Sequence, residues 1–226
     1  MEPLKSLISR AQGAQEARDA REAELRGMTP EEANQAKREA ESRKRRASAI
    51  MASGIRFRGD QVAVVADGKH RTTTAVEAVR GWRTDGDGER FLLLSGGVGT
   101  GKTMAAAVAI ADYGGGCCIR AANLARRVHP TYADTLAGYD PPSLSGFLVV
   151  LDDLGTEVDH RSGRWAEAFS EFMEQRGTFG RTIITSNLRR AEVLERYGDR
   201  IGDRLADDLL AVELGGKSLR KGGRGL

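Results

Sequence analysis

The sequence predicts an α/β fold in which a parallel five-stranded sheet is flanked by helices and preceded by a helical extension. Three observations predict it. Before residue 52 the chain is mostly Ala, Glu, Arg and Gln, with scarcely a β-branched or aromatic residue, which is the composition of helix. From Gly54 onward short apolar runs alternate with amphipathic stretches, the pattern of parallel strands joined by helices. One strand-to-helix junction carries Gly-Gly-Val-Gly-Thr-Gly-Lys-Thr, a phosphate-loop sequence in the context that such a loop requires.

In the N-terminal extension, Pro3 suits a first helical position and Gly27 the residue just past a helix end. Thr29-Pro30-Glu31-Glu32 then sets an N-cap, an N1 proline and a capping-box glutamate in order. Two helices are expected, Pro3 to Arg26 and Pro30 to Ala52. Their apolar faces are thin, limited to Leu4, Leu7 and Ile8 at the start and Ile50 and Met51 at the end, so they can build little core alone. A solvated charged arm and a partner-binding helical module both fit this composition. Arg43-Lys44-Arg45-Arg46 reads either as a solvated helix face or as a phosphate-contacting patch. The strand candidates are Phe91 to Ser95, Cys117 to Ala121, Phe147 to Asp152, Thr182 to Ser186 and Leu210 to Leu214. Between the third and fourth, Trp165, Ala168, Phe169, Phe172 and Met173 recur at helical spacing, a core-packing stripe. After Gly215 the chain is basic, with Lys217, Arg220, Lys221 and Arg224 and no acid.

A chain of 226 residues is long enough for one domain plus an appendage. With 40% hydrophobic and 30% charged residues, the apolar residues must be concentrated in that domain. The net charge of +3 permits contact with a polyanion without demanding it. The only cysteines, Cys117 and Cys118, are adjacent, which excludes a disulfide framework and favours a reducing compartment. The longest apolar runs fall far short of the roughly 20 residues that span a bilayer. These features predict a soluble, cytoplasmic protein with no membrane partner. The histidines, His70, His129 and His160, are scattered and show no metal-ligand spacing.

The chemistry begins at Gly96, Gly97, Val98, Gly99, Thr100, Gly101, Lys102 and Thr103. Glycines let the backbone wrap a phosphate chain with its N–H groups inward, and the following helix N-terminus adds positive potential. Lys102 supplies an ammonium for the β and γ phosphates of ATP, and the Thr103 hydroxyl is placed to ligate Mg²⁺. Further on, an apolar run ends in Asp152 and Asp153, acids delivered to the carboxyl edge of the sheet, where α/β folds bind ligands. Asp152 is expected to hold Mg²⁺ through its water shell, and Asp153 to accept a proton from the attacking water or to orient it. Thr182-Ile183-Ile184-Thr185-Ser186 ends in Asn187, whose amide can bond both the γ-phosphate and the water without adding negative charge. Arg200 and Arg204 are four apart, on one face if helical, and either could offer a guanidinium to a neighbouring subunit's γ-phosphate. Both could instead pair locally with Asp199, Asp203, Asp207 or Asp208.

In order and spacing these motifs resemble the AAA+ ATPases of the DnaC and IstB group, the helicase loaders and transposition helpers. The resemblance covers roughly Gly54 to Arg220, and Leu151-Asp152-Asp153-Leu154-Gly155 and Thr185-Ser186-Asn187-Leu188 are its specific strings. It implies an AAA+ type P-loop NTPase without a separate lid domain. Residues 1–52 would be a charged helical partner-binding arm, 53–215 the ATPase domain, and 216–226 a basic tail carrying the sensor 2 arginine. Arg204, with Arg200 as rival, would be the arginine finger, Arg220 the sensor 2 residue, and Ile55 and Phe57 would lie near the adenine. Arg126, Arg127, His129, Tyr132 and Tyr139 fall in the segment that in the family carries single-strand DNA contacts. Walker B has Asp153 where many relatives outside the group have Glu, which fits slow, switch-like ATP hydrolysis. The implied partners are single-stranded DNA, a replicative helicase and further copies of the chain joined through ATP-bridged interfaces. A transposase is the alternative partner, and a P-loop kinase or non-DNA ATPase a third reading.

Overall fold

The computed structural model describes residues 27–57, 59–84, 90–127, 148–157, 164–197, 208–216 and 218–219. The helix expected over 3–26, the segment 128–147, and Arg200, Arg204 and Arg220 lie outside the described residues. The chain divides into two compact units, Met1–Lys44 and Arg45–Leu226.

What is described of the first unit is chiefly the beginning of helix α1, Pro30–Ala52. The Thr29 N–H donates to Glu32 Oε2 at 2.7 Å and the Glu32 N–H donates to Thr29 Oγ1 at 3.3 Å. This is the reciprocal capping box that the Thr-Pro-Glu-Glu order predicts. The donated backbone bond also holds the Glu32 carboxyl below its ordinary value.

The second unit begins at Arg45, inside α1. The physical reason is apolar: Ala49 and Ile50, from the last turns of α1, are buried in the unit's own core. Within the same unit Arg46 forms an ion pair with Asp112 and donates to the Val65 carbonyl at 3.2 Å. One member of the basic run Arg43 to Arg46 is therefore committed inside the protein.

The sheet contains β1 Phe91–Gly96, β2 Cys117–Arg120, β3 Val149–Leu154, β4 Thr182–Ser186 and β5 Leu209–Leu214, in the order β2-β3-β4-β1-β5. Every pairing is parallel. Helices α2 Gly59–Ala66, α3 Thr74–Thr84, α4 Lys102–Tyr113, α5 Ala121–Arg127, α6 Arg164–Phe179 and α7 Arg190–Tyr197 complete the described elements. β1 and β4 are buried along almost their whole length, as central strands covered on both faces should be. The period of two sorts β1: Leu92 and Leu94 join the cluster with Val76, Val108 and Ile110, while Phe91 and Leu93 join Trp165, Phe169, Phe172 and Met173 on the opposite face. Trp165, Phe169, Phe172 and Met173 of the expected stripe on α6 are thus core. Ile55 and Phe57, expected near an adenine, pack in the first cluster. No described helix is long and apolar enough to cross a membrane.

Candidate functional site

The site is built on the turn between β1 and α4. Gly96, Gly99 and Gly101 all take positive φ, at 143°, 85° and 95°. At Gly96 a Cβ would stand 2.4 Å from the Leu214 carbonyl oxygen, so β5 leaves no room for a side chain where the loop departs. The Thr100 hydroxyl donates to the Gly97 carbonyl at 2.9 Å and closes the loop on itself. Lys102 is the first residue of α4, and no side chain caps that helix start. The orphan N–H groups of the first turn are thereby left for an anion.

Lys102 is 6% exposed. Its Nζ donates to the carbonyls of Gly96 at 2.5 Å and Gly97 at 2.9 Å, and to Asn187 Oδ1 at 3.1 Å. The ammonium is held over the loop by these carbonyls, and its bond to Asn187 joins the end of β4 to the loop. Val98 stands out from the loop, largely exposed.

β3 supplies the acids, and β4 the hydroxyl that holds them. Thr103 Oγ1 lies 3.3 Å from Asp152 Oδ1, and Thr185 Oγ1 donates to the same oxygen at 2.7 Å. The Thr185 hydroxyl also accepts the Asp153 N–H at 3.0 Å. Burial pushes the Asp152 carboxyl above its ordinary value, against the lowering effect of the two hydroxyl bonds. β3 does not end at Asp152, the limit that the sequence suggested. It continues to Leu154, and its register against β4 shifts between Leu151 and Leu154. The shift is accommodated by Asp153, the one non-glycine residue with positive φ among those described, at 59°. Aspartate tolerates that conformation better than most residues, and it turns the second carboxylate away from the ladder to a half-exposed position.

Oxygen donors of this kind suit a hard divalent cation such as Mg²⁺. Among the described residues no cluster of three or more His, Cys, Asp or Glu side chains is present. A cation held by Thr103 and Asp152 would take its remaining ligands from phosphate and water, as Mg²⁺ commonly does.

Lys102, Thr103, Asp152, Asp153 and Asn187 therefore come together at the carboxyl edge of the sheet. Thr185, which organises both acids, was missed by sequence reasoning. Its signal was a threonine in an otherwise apolar buried strand. Near the loop, the Leu219 N–H donates to the Gly99 carbonyl at 2.8 Å, so the chain just before Arg220 returns to the phosphate loop. The backbone of Arg126 and Arg127 belongs to α5.

No family model and no curated protein matches the sequence. Among solved structures, the chain is similar to the DnaC helicase loader at 22% identity, with a TM-score of 0.51 over 66% of this chain and 95% of that one. DnaI aligns at 19% identity and a TM-score of 0.47, over 64% of this chain and 81% of the other. The replication initiator DnaA, bound to AMPPCP and single-stranded DNA, aligns at 22% and 0.48, over 62% of this chain and 45% of the other. The fold of this chain, a five-stranded parallel sheet flanked by helices, is shared with the DnaC helicase loader.

Proposed function

We propose that the chain is an ATP-binding and ATP-hydrolysing accessory protein of DNA replication, of the helicase-loader kind, acting on single-stranded DNA and a replicative helicase. The observation that carries this reading is the convergence of three strand ends on one position, with Lys102 Nζ bonded to Asn187 and Thr103 bonded to Asp152. The fold shared with the DnaC helicase loader supports the choice of partner class.

On this reading the loop 96–103 and the first turn of α4 bind the triphosphate through backbone N–H groups. Lys102 leaves the carbonyls of Gly96 and Gly97 for the β and γ oxygens. Asn187 is then free to turn from Lys102 toward the γ-phosphate and the attacking water. Asp153 orients that water and receives its proton, and a short carboxylate on a turned backbone fits slow turnover. Thr103 and Asp152 would hold Mg²⁺, which neutralises charge on the phosphate oxygens when bound. Arg200 or Arg204 of an adjoining subunit, and Arg220 in cis, would complete the charge around the γ-phosphate.

Lys102→Ala is expected to remove binding of a fluorescent ATP analogue and ATP turnover together, measured at saturating Mg²⁺. Retained turnover would sink the active-site assignment. A pull-down from replicating cells with and without ATP separates the partners: a replicative helicase in the ATP-dependent eluate supports the loader reading, and a transposase supports the IstB-like alternative.

A further inference from the structure

β2 is the edge strand of the sheet, and the chain that follows α1 is fastened to it. The Cys118 N–H donates to the Ser53 carbonyl at 2.6 Å. Ser53 is itself fixed, its hydroxyl donating to the Ile50 carbonyl at 2.6 Å and accepting the Ile55 N–H at 3.2 Å. Gly54 then turns with a φ of 80°, and a Cβ there would stand 3.4 Å from the Cys118 carbonyl oxygen. This turn brings Arg56 to the carboxyl end of β2, where Arg120 is the last residue of the strand.

A hollow of about 170 Å³ lies there, lined by Arg56, Arg120 and Asn123 of α5, with Asp152 as its only acid. Arg120 stands opposite Asp152 in the parallel ladder. Arg56, Arg120 and Asn123 are exposed, and among the described residues none forms a hydrogen bond or ion pair with their side chains. Two guanidiniums around one hollow repel each other, and a single carboxylate offsets one of them at most. Asp152 is moreover already engaged by Thr103 and Thr185. The hollow therefore keeps a surplus of positive charge, with donors of the kind that bond a tetrahedral oxyanion in pairs. No aromatic side chain lines it, so it offers no platform for a base. Pockets for drug-sized ligands run to about 300–1,000 Å³, and this smaller hollow suits a small ion. Neither Lys102 nor Asn187, which flank the expected position of the γ-phosphate, belongs to its lining.

We infer that this hollow is a binding site for inorganic phosphate, apart from the γ-phosphate position, in which Arg56, Arg120 and Asn123 hold the anion. The inference rests on the proposed ATPase reading and deepens it. Orthophosphate is the anion that ATP hydrolysis sets free, and Asp152 is the wall shared by the hollow and the nucleotide site. Phosphate retained there slows the next turnover.

Equilibrium dialysis of radioactive orthophosphate against the full chain tests this, at fixed ionic strength with Mg²⁺ and a saturating non-hydrolysable ATP analogue that fills the γ-phosphate position. Wild-type protein is expected to bind phosphate, and Arg56→Gln combined with Arg120→Gln to weaken that binding at least about tenfold, the cost of a lost charge-assisted bond. Affinity for the analogue within about twofold of wild type shows that the variant keeps its fold and nucleotide site. Where the double variant does not fold, either single substitution replaces it. At saturating ATP, added orthophosphate is expected to inhibit wild-type turnover, and the variant to need correspondingly more phosphate for the same inhibition. Phosphate binding that is absent from the wild type, or equal in wild type and variant, overturns the inference. So does displacement of the bound phosphate by a short single-stranded oligonucleotide, which would make the hollow a contact for a nucleic-acid backbone. Inhibition equal in the two proteins overturns the product role. Arginine-dependent phosphate binding in a chain without ATP turnover overturns the ATPase reading and leaves the anion site in place.

Discussion

Asp152 carries a conflict between position and charge. It sits in the buried ladder of β3 opposite Arg120 of β2, and burial raises its carboxyl above the ordinary aspartate value although two hydroxyls bond it. A carboxyl raised in the folded state contributes stability below its unfolded pKa, and that contribution is lost as pH rises through the folded value. At neutral pH the ionised group therefore works against the fold. Asp152→Asn, whose amide oxygen can still accept from Thr103 and Thr185, should hold or raise Tm at pH 7 with EDTA present. The advantage should shrink as pH is lowered toward the raised value. The same variant should weaken Mg²⁺ affinity in the presence of ATP by about 10–100-fold, the range for losing a residue that orders a metal's shell. A fall in Tm without metal would show that the charge stabilises the site. Residues of this kind were only half legible in the sequence. The Walker strings identify themselves by type and spacing, so Lys102 and Asp152 could be named. Thr185 could not, because its role depends on which turns the fold brings together, and a threonine in a strand is ordinary by itself.

Elements were legible where burial is uniform. β1 and β4 are runs buried almost throughout, and β4 keeps the limits that its sequence suggests. α1 was equally plain because its capping box is written in four consecutive residues. The boundary between the two compact units was less so, since α1 reads as one charged helix and its core contribution rests on Ala49 and Ile50. Those two residues give the division at Arg45 a consequence. Ile50 is completely buried, and Ile50→Ala should cost about 2–5 kcal/mol, the range for truncating a large aliphatic side chain in a packed core. For a unit of this size each kcal/mol corresponds to roughly 2–4 °C in Tm. Deleting residues 1–44 should leave the melting temperature of the remaining unit nearly unchanged. Deleting residues 1–52 removes Ile50 and also the Arg46–Asp112 pair, and should lower it steeply. Equal melting of the two truncations, followed by circular dichroism, would show that the end of α1 is dispensable to the core.

At the scale of the whole molecule the question is whether one subunit holds a complete active site. The negative charge on the transferred phosphate is spread over its equatorial oxygens and must be met from several sides. Lys102 approaches from the phosphate loop, and its bonds to Gly96, Gly97 and Asn187 fix that direction. The acids of β3 add charge of the same sign as the phosphate, so the face beyond Asp153 is where an added cation would matter most. A guanidinium from an adjoining copy would meet that need and would make turnover a property of the assembly. The specific rate of ATP hydrolysis should then rise with protein concentration. Arg204→Ala should flatten that rise, with a loss on the order of 10³ in the assembled rate, the lower end of measured arginine-finger effects. The affinity for ATP should stay within about twofold of wild type, because a finger residue would belong to the donor's chain and not to the pocket that it completes. If Arg200→Ala flattens the rise and Arg204→Ala does not, the finger is Arg200. A specific rate independent of concentration in wild-type protein would place the whole catalytic charge within one chain, and the arginines of 199–208 would then serve their local aspartates instead.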